Sequence, residues 1–495
     1  MMSRVKLLVL AAFLVLALSG VSQAAEVTAR GYWWIEAISR QNWNFNAGQD
    51  DHFAVEQKLR TAFIFTANEN LRGILDTQIG TNNWGNGLYA VGSGRSPNTT
   101  AGTTSSSLGA GQGNIMLRKG YIEYKWPNTL TNISVGFQTV TLPAAFGGGS
   151  AIFDDQVAAA VVSTPLTDNV SLLAGYARPY DSNIYGSTAS VNGNGTATDV
   201  LFASVPVSIS GMNITPFAMY AYSGAKTASA TAGATSKAGF AGANSTNSDG
   251  LRGYWGGAAF TMTPSTMPLS IMADFNYGKA TYTNYLNKTH DGGRAGWLAD
   301  VAVDYTGLTM MTPEVFFTYS SGETGQNTDK SGRMPVIGVP QNWTIGSFFF
   351  GERLELTGSM NNPAGYTVNT LGYWAGGISL KDITFMNKLS HTVNILYAKG
   401  TNSVDYLKNT SNLNGVNYAG FLTDKDSLWE VDLNTRYKIY DELTGYVYLG
   451  YIKSNFDVDA WRGASKLSAT TLGNLRGVSS SGDAYKIGVG LNYFF

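Results

Sequence analysis

Residues Asp483–Phe495 read DAYKIGVGLNYFF, and the reading of this stretch decides the fold. Tyr485, Ile487, Val489, Leu491, Tyr493 and Phe495 occupy every second position. Between them stand Lys486, Gly488, Gly490 and Asn492, with Phe494 the one apolar member of that set. Successive side chains of a strand point to opposite faces, so this is one strand with a greasy face and a polar face. Such a strand lines either the core of a soluble sandwich or a barrel that sits in lipid, and the rest of the chain has to decide.

Working outward, Asp426–Tyr440 repeats the pattern. Trp429, Val431, Leu433, Thr435, Tyr437 and Ile439 fall on one face, and Glu430, Asp432, Asn434, Arg436 and Lys438 on the other. Phe53–Ala67 does the same, with Phe53, Val55, Leu59, Phe63 and Phe65 against Glu56, Lys58 and Arg60. No segment of the body has sustained helical periodicity. Turn signals alternate in length. Short ones fall near Asn68–Asn70, Pro127–Leu130, Pro165–Asn169, Gly211–Asn213, Pro264–Pro268, Thr306–Leu308, Met386–Lys388 and Asp441–Glu442. Long ones cover about 82–112, 179–196, 223–250, 320–366, 401–425 and 454–480. Outer-membrane barrels sort their connections in this way, with short periplasmic turns and long outer loops. The markers delimit about 18 strands, an even number, with Ile345–Leu356 taken as loop; merging two short strands gives 16.

Aromatic residues track the strand ends. Tyr176, Tyr222, Tyr277, Tyr319, Tyr397 and Tyr451 lie toward the long loops, and Trp126, Tyr305, Tyr437 and Phe495 toward the short turns. Tyr and Trp settle at the headgroup layer, so two girdles are expected. The expected fold is therefore an all-β, antiparallel transmembrane barrel. Its last strand must close against the first, near Val27–Gln41, because lipid tolerates no open edge.

Composition agrees. The 495 residues include no cysteine, which excludes disulfides and thiolate metal sites. Only 14% are charged, whereas 58 are glycine and 12% aromatic, a balance suited to strands, tight turns and a lipid interface. Residues 1–24 read as a signal peptide: Arg4 and Lys6 precede an apolar run, Ser22 and Ala24 form a small-residue cleavage site, and the mature barrel domain is expected over 25–495. Without those two basic residues the chain carries about three more acids than bases, which argues against nucleic acid as a partner. His52, His290 and His391 are scattered, no His/carboxylate cluster has metal-ligand spacing, and neither cofactor nor catalytic residue is expected.

Gly136–Val162, GFQTVTLPAAFGGGSAIFDDQVAAAVV, is the informative loop. A strand ends at Leu142, and Pro143, Gly147–Gly149 and the acids Asp154 and Asp155 precede another strand. A barrel of this size is roughly 35 Å across at the backbone and needs a sieve. By alternation Glu56, Lys58 and Arg60 face the lumen, as do Arg72, Asp76 and Gln78; Arg40 fits either face of its strand.

The terminal Phe495 with apolar Leu491 and Tyr493 resembles the C-terminal signature of bacterial outer-membrane proteins, which implies recognition by the barrel-assembly machinery. The loop resembles the third extracellular loop of trimeric bacterial porins, where a Pro–x–Phe–Gly–Gly pattern folds into the barrel. Here the match is Pro143 and Phe146–Gly148, with one extra residue after Pro and no acid beside Phe. The starting AEVTARGYWW, the hairpin LRTAFIFTANENLRGILDTQIG, this loop and the terminal Phe occur in the family's order. In detail the chain looks similar to the homotrimeric porins of sulfate-reducing bacteria. The resemblance implies a homotrimer with a constriction loop at about 143–156. It also implies loop acids, here Asp154 and Asp155, facing a basic ladder. Arg60 stands where the family's second strand carries a lumen arginine, whereas Phe137 replaces the arginine expected before the loop. Candidate constriction residues are thus Asp154, Asp155, Phe146, Lys58, Arg60, Glu56, Arg72 and Arg40. The function implied is passive diffusion of ions and small hydrophilic solutes through the outer membrane. A substrate-selective channel for sugars or small organic anions is the alternative. A barrel enzyme or an adhesin carried on long loops is a third class.

Overall fold

The computed structural model describes residues 26–42, 52–84, 115–181, 197–224, 240–241, 250–283, 292–324, 330–337, 372–406, 422–463 and 483–495. The signal segment 1–24 and the stretch 345–356 lie outside the described residues.

Eighteen antiparallel strands close into a barrel. The first six are β1 (Glu26–Gln41), β2 (His52–Asn68), β3 (Leu71–Asn83), β4 (Ile115–Lys125), β5 (Asn132–Thr141) and β6 (Asp154–Pro165). Next come β7 (Ser171–Asp181), β8 (Ala197–Ser204, continued by Val207–Ile209), β9 (Met212–Gly224), β10 (Gly250–Met262), β11 (Leu269–Thr283) and β12 (Gly292–Tyr305). The last six are β13 (Thr312–Ser320), β14 (Tyr373–Met386), β15 (Leu389–Gly400), β16 (Ser427–Lys438), β17 (Leu443–Asn455) and β18 (Ala484–Phe494). A helical turn, α1 (Val458–Gly463), follows β17.

Closure is where the sequence places it. β18 pairs with β1 from Tyr32↔Phe494 to Gln41↔Tyr485, and Phe495 exchanges both backbone hydrogen bonds with Gly31, at 2.8 and 3.1 Å. The eight hairpins at one end are joined by two to six residues, at the eight positions marked by short-turn signals. Connections at the other end run from 8 to 52 residues. This sorting has a physical cause: Asn, Gly and Pro favour tight reversals, and three of the turns place Asn128, Ser210 and Lys388 at positive φ.

The greasy face of β18 looks outward. Ile487, Val489, Leu491 and Tyr493 are all exposed, while Ala484 and Lys486 are buried on the inner side. An exposed apolar face on a closed barrel is a face made for hydrocarbon. Near the long-loop end the outward rings touch from strand to strand. Trp297 stacks on Tyr319 with centroids 4.6 Å apart, Trp374 meets Tyr397 at 5.4 Å, Tyr397 meets Trp429 at 5.0 Å, and Tyr451 meets Tyr485 at 5.2 Å. Tyr319, Tyr397 and Tyr451 of the expected girdle belong to this belt.

The hydrophobic core sits inside the barrel. The inner faces of β5–β10 are apolar, with Val140, Val157, Val200, Phe217, Leu251 and Trp255 buried. The loop between β5 and β6 folds inward and covers them with Leu142, Ala151, Ile152 and Phe153, each at most 2% exposed. Burying side chains of the larger kind contributes roughly 1.5–3 kcal/mol each. One infolded loop is expected from the sequence; the structure adds a second segment, 330–337. Met334, Val336 and Ile337 join the same core, and Ile337 donates its backbone N–H to the carbonyl of Ile152 at 2.9 Å. This segment, KSGRMPVI, is too short for alternation to give a sign of it, and only the wall it covers explains it.

Candidate pore constriction

The β5–β6 loop runs inside the barrel over the inner faces of β5–β10 and docks on β11. Leu142 N–H donates to the Phe153 carbonyl at 3.0 Å and closes the loop's base. Ser150 Oγ accepts from Ile152 N at 3.2 Å. Gly147 and Gly148 both have φ of 79°, a left-handed conformation that explains the glycine pair after Phe146. At the tip, the backbone N–H groups of Ala145 and Phe146 donate to the carboxylate of Asp274 on β11. Ala145 N lies 2.8 and 3.0 Å from its two oxygens, and Phe146 N 2.8 Å from one of them. The Phe146 ring packs on Phe316 of β13 with centroids 5.8 Å apart. Two adjacent N–H groups aimed at one buried carboxylate form charge-assisted hydrogen bonds, the strong kind.

Beyond the loop, the wall is polar and its charge is divided. On β1–β4 and β18 the inner face carries Arg40, Lys58, Arg60, Arg118, Lys119 and Lys486. Arg40 Nη1 lies 3.8 Å from Glu56, Arg60 Nε donates to Gln78 at 2.6 Å, and Arg118 and Lys119 lie 3.1 and 3.7 Å from Asp76. A register shift between Asp76 and Thr77 accompanies the approach of these two neighbouring cations to one carboxylate. Lys58 sits over the Trp34 ring at 4.9 Å and Arg60 over Tyr32 at 5.6 Å. On β11–β13 the inner face carries Asp274, Asp300, Asp304 and Glu314 beside Arg294, all buried. Lys381 of β14 bridges Asp304 at 2.6 Å and Glu314 at 3.0 Å. Cations outnumber Glu36, Glu56 and Asp76 on the first wall, and acids outnumber Arg294 and Lys381 on the second, so the excess charge differs in sign and sets up a field across the lumen.

The candidate residues divide accordingly. Glu56, Lys58, Arg60 and Arg40 come together on one stretch of inner wall. Arg40, which fits either face by alternation, is placed inward by its register with Lys486 and His52. Arg72 lies away from this group, beside the 68–71 turn, and pairs with Glu123 at 2.6 Å at an exposed position. Phe146 stands at the loop tip. Asp154 and Asp155 both lie in the first residues of β6, not on the infolded part of the loop. Asp155, in register with buried Val140, shares the inner face of Val157; Asp154 is on the opposite face and accepts from Thr141 Oγ1 at 2.8 Å. Asp274, Asp300, Asp304 and Glu314 of β11–β13 are further inner-wall acids, which the sequence reading does not single out. The loop over 142–153 holds no acid because it packs on an apolar wall. A signal for the missed residues exists: in Trp297–Tyr305, WLADVAVDY, Asp300 and Asp304 alternate with outward Trp297, Val301, Val303 and Tyr305.

The same architecture occurs in solved structures. OpdQ of Pseudomonas aeruginosa matches with a TM-score of 0.50 and 11% identity, covering 95% of this chain and 98% of that one. OccAB3 of Acinetobacter baumannii matches with a TM-score of 0.51 and 10% identity, covering 95% and 99%. The outer membrane protein OprD of Pseudomonas aeruginosa is similar at 13% identity, with a TM-score of 0.48 and 94% of each chain covered. The shared fold is a closed antiparallel β-barrel. No protein-family model matches the sequence, and no curated protein matches it. At this identity the likeness is one of fold.

Proposed function

We propose that the chain is an outer-membrane porin, a water-filled channel for passive diffusion of ions and small hydrophilic solutes. The observation that carries this reading is a closed barrel, greasy outside, whose charged lumen is narrowed by a loop pinned inside it. The short-turn end faces the periplasm and the long loops face outward. Residues 1–24 serve as the export signal, and Leu491, Tyr493 and Phe495 serve as the assembly signal. The functional unit is a homotrimer, as the resemblance to trimeric porins implies. No reaction is assigned to it.

Purified protein in planar bilayers should give stepwise conductance; a membrane that stays electrically silent removes this reading. Charge selectivity then distinguishes the two loop-base acids. Asp155→Asn removes a negative charge from the inner face and shifts the reversal potential in a salt gradient toward anions. Asp154→Asn, on the other face, leaves it where it was. Equal shifts from both variants would contradict the strand parity that separates them.

Substrate selectivity is the second reading. It is favoured by an aromatic, amide-lined cavity of about 490 Å³ in the periplasmic half of the lumen.

A further inference from the structure

We propose that this cavity is a binding site for a neutral polyhydroxylated ring, of the sugar class, seated on Tyr446 and Tyr448. The inference rests on the channel reading and names a substrate class for it. Tyr446 and Tyr448 are two residues apart on the inner face of β17. They stand in register with Gly490 and Gly488 of β18. A Cβ at either glycine would overlap the facing tyrosine, so the two rings lie over bare backbone instead of standing off the wall. Their planes are within 9° of each other and their centroids 6.1 Å apart. Both hydroxyls donate to the Glu36 carboxylate, Tyr446 at 3.0 Å, which fixes how far each ring can turn. The result is a flat apolar shelf with a polar edge.

The rest of the cavity suits the same ligand. Trp34 and Phe494 add apolar surface, and Asn434 and Asn492 add amides that both donate and accept. The side-chain oxygen of Asn492 is buried and accepts no hydrogen bond among the described residues. The volume falls within the roughly 300–1,000 Å³ typical of small-ligand sites, which combine apolar walls with a few placed polar groups. A sugar ring offers a C–H face to the shelf and hydroxyls to the amides. Charged solutes fit less well. An anion drawn by Arg436, which also lines the cavity, meets Glu36 at the edge of the shelf. A cation meets Lys58 over Trp34 and Lys486, whose Nζ lies 4.5 Å from the Tyr448 ring centre.

The test is maltose titration of the open channel in planar bilayers, with glycerol at matched viscosity as control, beside calorimetric titration of the detergent-solubilised protein. A saturable fall in current and a saturable heat are expected, and neither with glycerol. Tyr446→Ala should raise the half-saturating concentration about tenfold, as loss of one ring contact implies, with the channel still open. Gly488→Ala, whose added Cβ meets only the Tyr448 side chain and lifts that ring, should act in the same direction. Conductance that follows viscosity alone, with no heat, overturns the site and leaves the porin reading standing. Saturable heat from a chain that never conducts overturns the porin reading and keeps the site. Equal affinity in wild type and both variants overturns the shelf.

Discussion

Asp274→Ala releases the constriction loop: single-channel conductance rises, open-channel noise grows, and larger solutes pass. The loop tip is held by backbone N–H groups of Ala145 and Phe146 on one carboxylate. Hydrogen bonds to a charged partner are worth about 1.5–3 kcal/mol each, so losing the pair shifts the docked population by roughly two to four orders of magnitude. Alanine also leaves two donors without acceptor, which adds to the loss. Asp274→Asn is the milder case, because the amide oxygen still accepts while the charge is gone. The barrel itself should survive, since Asp274 lies inside and the strand ladders are untouched; heat-modifiable migration on gels checks this. Conductance and solute cut-off equal to wild type would show that Leu142, Ile152 and Phe153 hold the loop by apolar contact alone. In that event Phe153→Ala, at about 3–5 kcal/mol for a large-to-small change in a core, becomes the variant that opens the pore.

Val489→Arg should prevent the barrel from reaching a stable membrane-inserted state. Val489 points outward near the middle of β18, with Ala37 and Val447 in register on the two neighbouring strands. A lipid-facing arginine at the bilayer midplane costs about 2–4 kcal/mol, a large share of a marginal folding free energy. An arginine at Asn492, on the wet side of the same strand, avoids that cost and should fold, though it alters the channel. Urea unfolding in lipid vesicles measures the difference. Equal stability of the two variants would mean that the outward face does not contact hydrocarbon.

Most of the fold is legible from alternation. In β18 the polar and apolar sets separate, Phe494 apart, so the two faces can be assigned, and the sorted turn lengths and the aromatic strand ends then point to lipid outside. The eight short turns are legible for a related reason: reversal within a few residues needs Gly, Asn or Pro, and these leave a local mark. The basic wall is partly legible, because Lys58 and Arg60 alternate with Phe53–Phe65 in one strand. Arg40 is not, since RGYWWIEAISR has apolar residues in both sets, and only pairing with β2 and β18 settles its face. Arg72 shows the limit of parity: alternation gives the face of a side chain but not its depth, and this one ends beside a turn with Glu123.

The site is less legible than the barrel. The Pro143–Gly148 pattern marks an inward loop only through its resemblance to the porin loop, and Gly147 and Gly148 supply the needed backbone. What the loop grips depends on Asp274, more than a hundred residues away, and no local pattern connects them. The same holds for the tyrosine shelf: Tyr446 and Tyr448 look like ordinary strand aromatics until Gly490 and Gly488 are seen opposite them.

Sequence alone therefore determined that this chain makes paired strands with one face for lipid and one for water, because period-two patterning and turn chemistry act over a few residues. Tertiary structure alone decided which charges face each other across the lumen, where the inward loop is tethered, and which rings lie flat, because these depend on register between strands far apart in the chain.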